Sequence, residues 1–400
     1  MATLILAAGC AKIESKSTSN EAPHAIGFTN YAPRALSKAD GSYVGQSGST
    51  TPNATLVANY KFGVYAYSTA NTTSFSTSTI DKPFMTGTVV TFANNDDGGA
   101  NNTYSPMRYW PSGDAPDKLT FWAYYPVTDA TAGTIDTPTN GITYTAPTGS
   151  NGVGSYAFTA AETAADMVDF MVSDVVNDQL YSTNNGTVPL VFRHQLTKVQ
   201  FKFKTTTLDA STTVKLLDAK LYKVKTSGTL SANYNASADP KTSTTWGSQA
   251  LASTPVVYDV TFDSENPEIG TSTSWITLGT TALPAAVGTE NPAADIFLMV
   301  PQAMVNKTDA TNAQYLEVTW EVTTGTGASA VTTRNSQKLY FKNDLKNGDD
   351  PSASGYAAAD IDWAKNNFIT YTITIGPKPI LFTATVENWD AEQNGYFNVQ

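Results

Sequence analysis

Val199-Gln200-Phe201-Lys202-Phe203-Lys204 sets three large apolar side chains, Val199, Phe201 and Phe203, two residues apart, with glutamine and lysine between them. Successive side chains of an extended chain point to opposite faces, so the stretch reads as a half-buried antiparallel strand, one face on a core and one toward water. Lys118 to Tyr125 (KLTFWAYY) alternates in the same way. On either side, strand-like runs occupy residues 56–67, 188–192, 214–225, 255–262, 274–278, 296–300, 315–322, 338–342, 368–375 and 380–389. Short strands separated by Gly, Pro, Asn and Asp predict an all-β protein built of sandwiches. Helical spacing is confined to residues 357–365 and, next, 160–168.

At 400 residues the chain exceeds what one core usually serves, which predicts two domains. The polar turn cluster Tyr181–Gly186 (YSTNNG) marks the expected boundary, with a signal and tether at 1–21, an N-terminal sandwich at 22–186 and a C-terminal sandwich at 187–400. Only 15% of residues are charged, against roughly 25% in average globular chains, and Thr, Ser, Asn and Gly supply the polar surface. The net charge of −11 argues against a nucleic acid or an anionic membrane surface as partner, since both demand positive potential.

The only cysteine, Cys10, closes the short apolar run Leu4-Ile5-Leu6-Ala7-Ala8-Gly9. That run is too short to cross a bilayer and reads as an export signal with Cys10 as the lipidated mature N-terminus. Ala7 stands where leucine is commoner, and no Lys or Arg precedes the run. The competing reading is a buried free thiol. Residues 11–21 are polar, with one large apolar residue, Ile13, and read as a tether. Without a second cysteine, the folded part relies on burial and hydrogen bonding alone.

Catalysis has little to work with. The two histidines are His24, just beyond the tether, and His194, whose alternation with Phe192 suggests a strand and a structural role. No nucleophile elbow, zinc-protease, P-loop or dinucleotide motif is present. Paired carboxylates are harder to exclude, since any two of the scattered acids could meet in space, but Asp166 with Asp169, or Asp360 with Asp362, read more simply as loop or helix-end residues. Asn94-Asn95-Asp96-Asp97-Gly98-Gly99 lacks the alternating ligands of a calcium loop. No enzyme activity, cofactor or metal is expected.

Pro106-Met107-Arg108-Tyr109-Trp110-Pro111, Leu119 to Pro126, Val191-Phe192-Arg193-His194-Gln195-Leu196-Thr197-Lys198-Val199, Met299-Val300-Pro301-Gln302 and Val386-Glu387-Asn388-Trp389 follow one another along the chain. In that order they resemble the fimbrillin family of Bacteroidia, the type V pilins and their relatives, from about residue 22 to 389. The resemblance implies two tandem transthyretin-like, Greek-key β-sandwich domains, delivered as a lipoprotein to the outer membrane and cell surface and assembled with other fimbrial subunits into adhesive fimbriae. It also implies strand exchange: an arginine-specific protease removes the N-terminal strand, and the groove accepts a strand of the next subunit.

The candidate parts are present. Ala25-Ile26-Gly27-Phe28-Thr29-Asn30-Tyr31 is strand-like, with Ile26 and Phe28 on one face, and Arg34-Ala35 follows at once as the cleavage point. The alternative for Arg34 is an exposed loop residue. At the other terminus Phe397 and Val399 repeat the two-residue spacing and are the candidate donor side chains. Only eleven residues follow Trp389, short for a donor; the alternative is a tail that finishes its own sandwich, leaving a tip or anchor subunit or a non-polymerising surface lipoprotein. A further alternative is a module binding a glycan or host ligand through Tyr109, Trp110, Trp246 or Trp275, residues that more often serve as core.

Overall fold

In a computed structural model, the described residues are 23–31, 61–75, 82–91, 102–127, 129–131, 134–135, 141–147, 152–183, 185–205, 211–238, 240–254, 256–260, 276–280, 291–346, 360–375 and 381–388. They form four sheets arranged as two sandwiches. In the N-terminal one, Lys118–Tyr125 lies at the middle of a ten-stranded sheet, antiparallel to Lys61–Thr69 on one flank and to Met171–Ser173 and Val176–Gln179 on the other. Thr187–His194 comes next, and Gly27–Tyr31 forms the edge. A four-stranded sheet of Ile142–Thr145, Gly152–Thr159, Ser227–Tyr234 and Thr242–Ala250 covers one face.

Lys118–Tyr125 departs from the half-buried expectation, because every residue after Lys118 is buried. Trp122 and Tyr124 face the smaller sheet, where Tyr124 packs edge-on against Tyr156 at 5.3 Å and the Trp122 Nε1–H reaches Tyr144 Oη at 3.4 Å. Phe121 and Ala123 belong instead to a second core with Phe28, Phe62 and Phe192. The large sheet curls round that second core: Asn102, next to a short strand on the far flank, donates to Phe28 O at 3.1 Å.

Between the sheets Tyr65, Tyr124, Tyr144 and Tyr156 crowd together, Tyr65 and Tyr144 at 4.1 Å. Burial pushes the Tyr124 hydroxyl up to about 12, and burial, then neighbouring phenols, holds Tyr65 and Tyr156 well above the ordinary value. An unfolded tyrosine ionises near ~10, so this neutral cluster contributes its full stability below that pH and loses it as pH rises toward the folded values. In urea titrations the unfolding midpoint should therefore hold up to about pH 10 and fall above it, with tyrosinate absorption from these rings appearing only on unfolding. Ionisation of all tyrosines before unfolding would contradict this.

The C-terminal sandwich places Asn291–Met299, Thr197–Thr205, Asn367–Ile375 and Leu381–Asn388 in one sheet, with Thr197–Thr205 parallel to Asn367–Ile375. The facing sheet holds Val257–Asp259, Thr212–Tyr222, Tyr315–Thr324 and Val331–Tyr340, with Ile276–Thr280 also on Thr212–Tyr222. Val199, Phe201 and Phe203 are fully buried, as their spacing predicts, and Phe201 packs against Phe297, Phe341 and Tyr371. Tyr258 meets Phe297 across the sheets at 5.7 Å. Lys198 is buried too, its ammonium 4.6 Å from the centre of the Phe368 ring.

The boundary at 186/187 is corrected by the strand pairing. Thr187–His194 stays in the N-terminal sheet, the chain then builds Thr197–Thr205 and Thr212–Tyr222 of the C-terminal sandwich, and Ser227–Tyr234 returns to pair with Gly152–Thr159, followed by Thr242–Ala250 beside it. The smaller N-terminal sheet lacks two of its four strands until that return, so a cut at 186 would leave its apolar face open. Polar contacts join the sandwiches: Trp246 Nε1–H and Thr244 Oγ1 donate to Gln195, at 2.8 Å each, and Lys365 Nζ donates to Thr244 O. Of the expected helices, 160–168 yields only the 3-10 turn Ala164–Asp166, and the described part of 357–365 is not helical because Trp363 bridges to Gln302.

Candidate subunit interface

Ile26 and Phe28 are 1% and 2% exposed. Burying two such side chains contributes roughly 3–6 kcal/mol to holding this edge segment in place. Gly27–Tyr31 pairs in parallel with Thr187–His194, Gly27 opposite Thr187 and Tyr31 opposite Val191. The preceding residues are gripped on the other side by residues 102–110. Ile26 N–H donates to Arg108 O at 2.9 Å, Trp110 N–H to His24 O at 2.9 Å and Tyr104 Oη–H to Ile26 O at 2.8 Å. His24 stacks on Tyr181 at 3.8 Å. Phe28 is met edge-on by Tyr104 at 5.5 Å and Phe121 at 6.0 Å.

Gly186 closes the near end of the groove. Its φ of +82° is strained for any residue with a side chain, and a Cβ would stand 2.9 Å from the Tyr181 ring. Its carbonyl accepts from both Gly27 N–H and Trp110 Nε1–H, at 3.0 Å each. Burial raises the Tyr104 hydroxyl above its ordinary value, partly offset by the Arg108 backbone N–H that donates to Tyr104 Oη at 3.3 Å and by the Arg108 charge, so it is a neutral donor to Ile26 O at physiological pH.

Of the residues singled out in the sequence, Ile26 and Phe28 are thus brought into one apolar groove. Cys10, Arg34, Ala35, Phe397, Val399, Trp275 and the 94–99 loop lie outside the described residues. Trp110 is buried and Trp246 packs on Phe158 and Phe170, so both serve as core, while Tyr109 is 48% exposed. Neither carboxylate pair forms: Asp166 bonds Thr163, Asp169 bonds His194, Asp362 accepts from Met304 N–H and Asp360 lies near Lys342. Sequence reading missed Asn102, Tyr104 and Gly186 as holders of the strand. The Asn-Asn-Gly turn was the only signal for any of them.

A β-sandwich protein whose first described strand is an edge insert closing an apolar groove is the class defined by this arrangement. The chain belongs to the fimbrillin-like family, whose profile matches residues 49–389. The fimbrium subunit Fim1C of Phocaeicola vulgatus is 30% identical over 207 residues, covering 50% of this chain and 48% of that protein, so the match spans about half the length of this relative. A crystal structure of a fimbrial protein from Bacteroides vulgatus aligns over 91% of this chain and 99% of its own, with TM-score 0.58 and 18% identity, a likeness of fold. The family is one of structural fimbrial proteins rather than enzymes.

Proposed function

We propose that the protein is a structural subunit of cell-surface fimbriae that serves adhesion, exported as a lipoprotein through Cys10 and activated by cleavage between Arg34 and Ala35. Cleavage releases Ile26 and Phe28, and the C-terminal strand of a second copy, carrying Phe397 and Val399, takes their place. The observation that carries this reading is the burial of Ile26 and Phe28 at an edge strand that is the first among the described residues and precedes Arg34 by a few residues. Without that strand, Thr187–His194 would present unpaired backbone groups beside the emptied apolar pockets, and an incoming strand satisfies both. Donor and acceptor on different parts of one molecule give a head-to-tail contact that does not close, hence a fibre.

The test is the N-terminus of the mature surface form read by mass spectrometry, with Arg34→Ala alongside. The expected result is Ala35 at the terminus of a ladder-forming species, and loss of ladders in the variant. A lipidated Cys10 on a species that never forms ladders would overturn the shaft reading in favour of an anchor or a monomeric surface lipoprotein.

A further inference from the structure

The N-terminal strand offers its groove a branched aliphatic residue and then, two positions on, an aromatic one, Ile26 and Phe28. The C-terminal segment carries the reverse order, Phe397 and then Val399. The Phe28 site is shaped for a ring, with Tyr104 and Phe121 both meeting it edge-on. Valine there would leave a cavity, and phenylalanine in the Ile26 site would overpack it. Size is matched at both sites only when the incoming chain runs the other way.

Backbone pairing favours the same direction. Gly27–Tyr31 is parallel to Thr187–His194 over five residues, and parallel ladders are slightly less stable per residue than antiparallel ones. A reversed strand becomes antiparallel along that whole flank; on the other side it gives up the antiparallel bridge of Ala25 with Tyr109 and must re-form the bonds that Asn102 and Tyr104 make to its carbonyls.

We propose, building on the strand-exchange reading, that the donor of one copy enters its neighbour's groove with polarity opposite to the strand it replaces, Val399 in the Ile26 site and Phe397 in the Phe28 site. Exchange then converts a parallel edge into an antiparallel one, and this gain gives assembly its direction.

Cysteine pairs test this cleanly, since Cys10 precedes Arg34 and the processed chain has no other cysteine. Either direction places Asn398 opposite Thr187, so Thr187→Cys with Asn398→Cys reports exchange itself. Pro189, exposed and opposite Thr29, distinguishes the two. Reversed insertion sets Tyr396 against it and leaves Gln400 four residues away, roughly 13 Å and beyond disulfide reach; parallel insertion sets Gln400 against it. The expected result is disulfide-linked ladders of processed subunits with Pro189→Cys/Tyr396→Cys and none with Pro189→Cys/Gln400→Cys. Linkage by the Gln400 pair overturns the proposed polarity while leaving exchange standing. Failure of the Thr187/Asn398 pair in subunits that form unlinked ladders overturns both the polarity and the tail as donor.

Discussion

Phe28→Ala should destabilise the unprocessed chain by about 3–5 kcal/mol, read as a lower urea midpoint with an unchanged slope. The ring is 2% exposed and lies between Tyr104 and Phe121, in a core that also holds Phe62 and Phe192. Little can collapse into the void, because the hydrogen bonds flanking it, from Tyr104 to Ile26 O and from Asn102 to Phe28 O, hold the backbone in place. On the strand-exchange reading the substitution has no effect on the processed subunit, from which residue 28 is gone. A loss below about 1 kcal/mol in the unprocessed chain would show that the strand is a loose cover and not part of the core.

Asp169→Ala should cost a comparable amount, about 3–5 kcal/mol. His194 Nδ1 lies 2.9 Å from the Asp169 carboxylate, and both side chains are wholly removed from solvent. Removing one partner strands the other in a medium that cannot hydrate it, so truncation costs more than the pair contributes. The double variant Asp169→Ala/His194→Ala should then lose clearly less than the sum of the two single variants. Thermal unfolding of the four proteins measures this, and strict additivity would exclude the pair as a unit. The pair lies where Thr187–His194 meets Met171–Ser173, so its loss weakens the wall on which the N-terminal strand rests.

Much of the C-terminal sandwich was readable because its strands alternate strongly. Val199, Phe201 and Phe203 carry a clear face, and so do Leu316, Val318 and Trp320. Ser227–Tyr234 and Thr242–Ala250 escaped notice because their sequences, SGTLSANY and TSTTWGSQA, bury only a few apolar side chains, Leu230, Ala232 and Tyr234 among them, and small polar residues fill the rest. The domain boundary failed for the same cause, since those two strands are the ones that return. In the groove, Ile26 and Phe28 were visible from local spacing. Their partners were not, because Asn102 and Tyr104 come from 74 and 78 residues away and only the curl of the sheet brings them close.

The return of Ser227–Tyr234 and Thr242–Ala250 to the first sandwich means that, among the described residues, the backbone passes between the two bodies three times, near residues 195, 224 and 253. A load that tries to part them is shared among three covalent crossings, and none can lengthen until strands are stripped from a sheet. The molecule therefore bears tension as one stiff link, unlike beads joined by a single thread, whose linker would extend first.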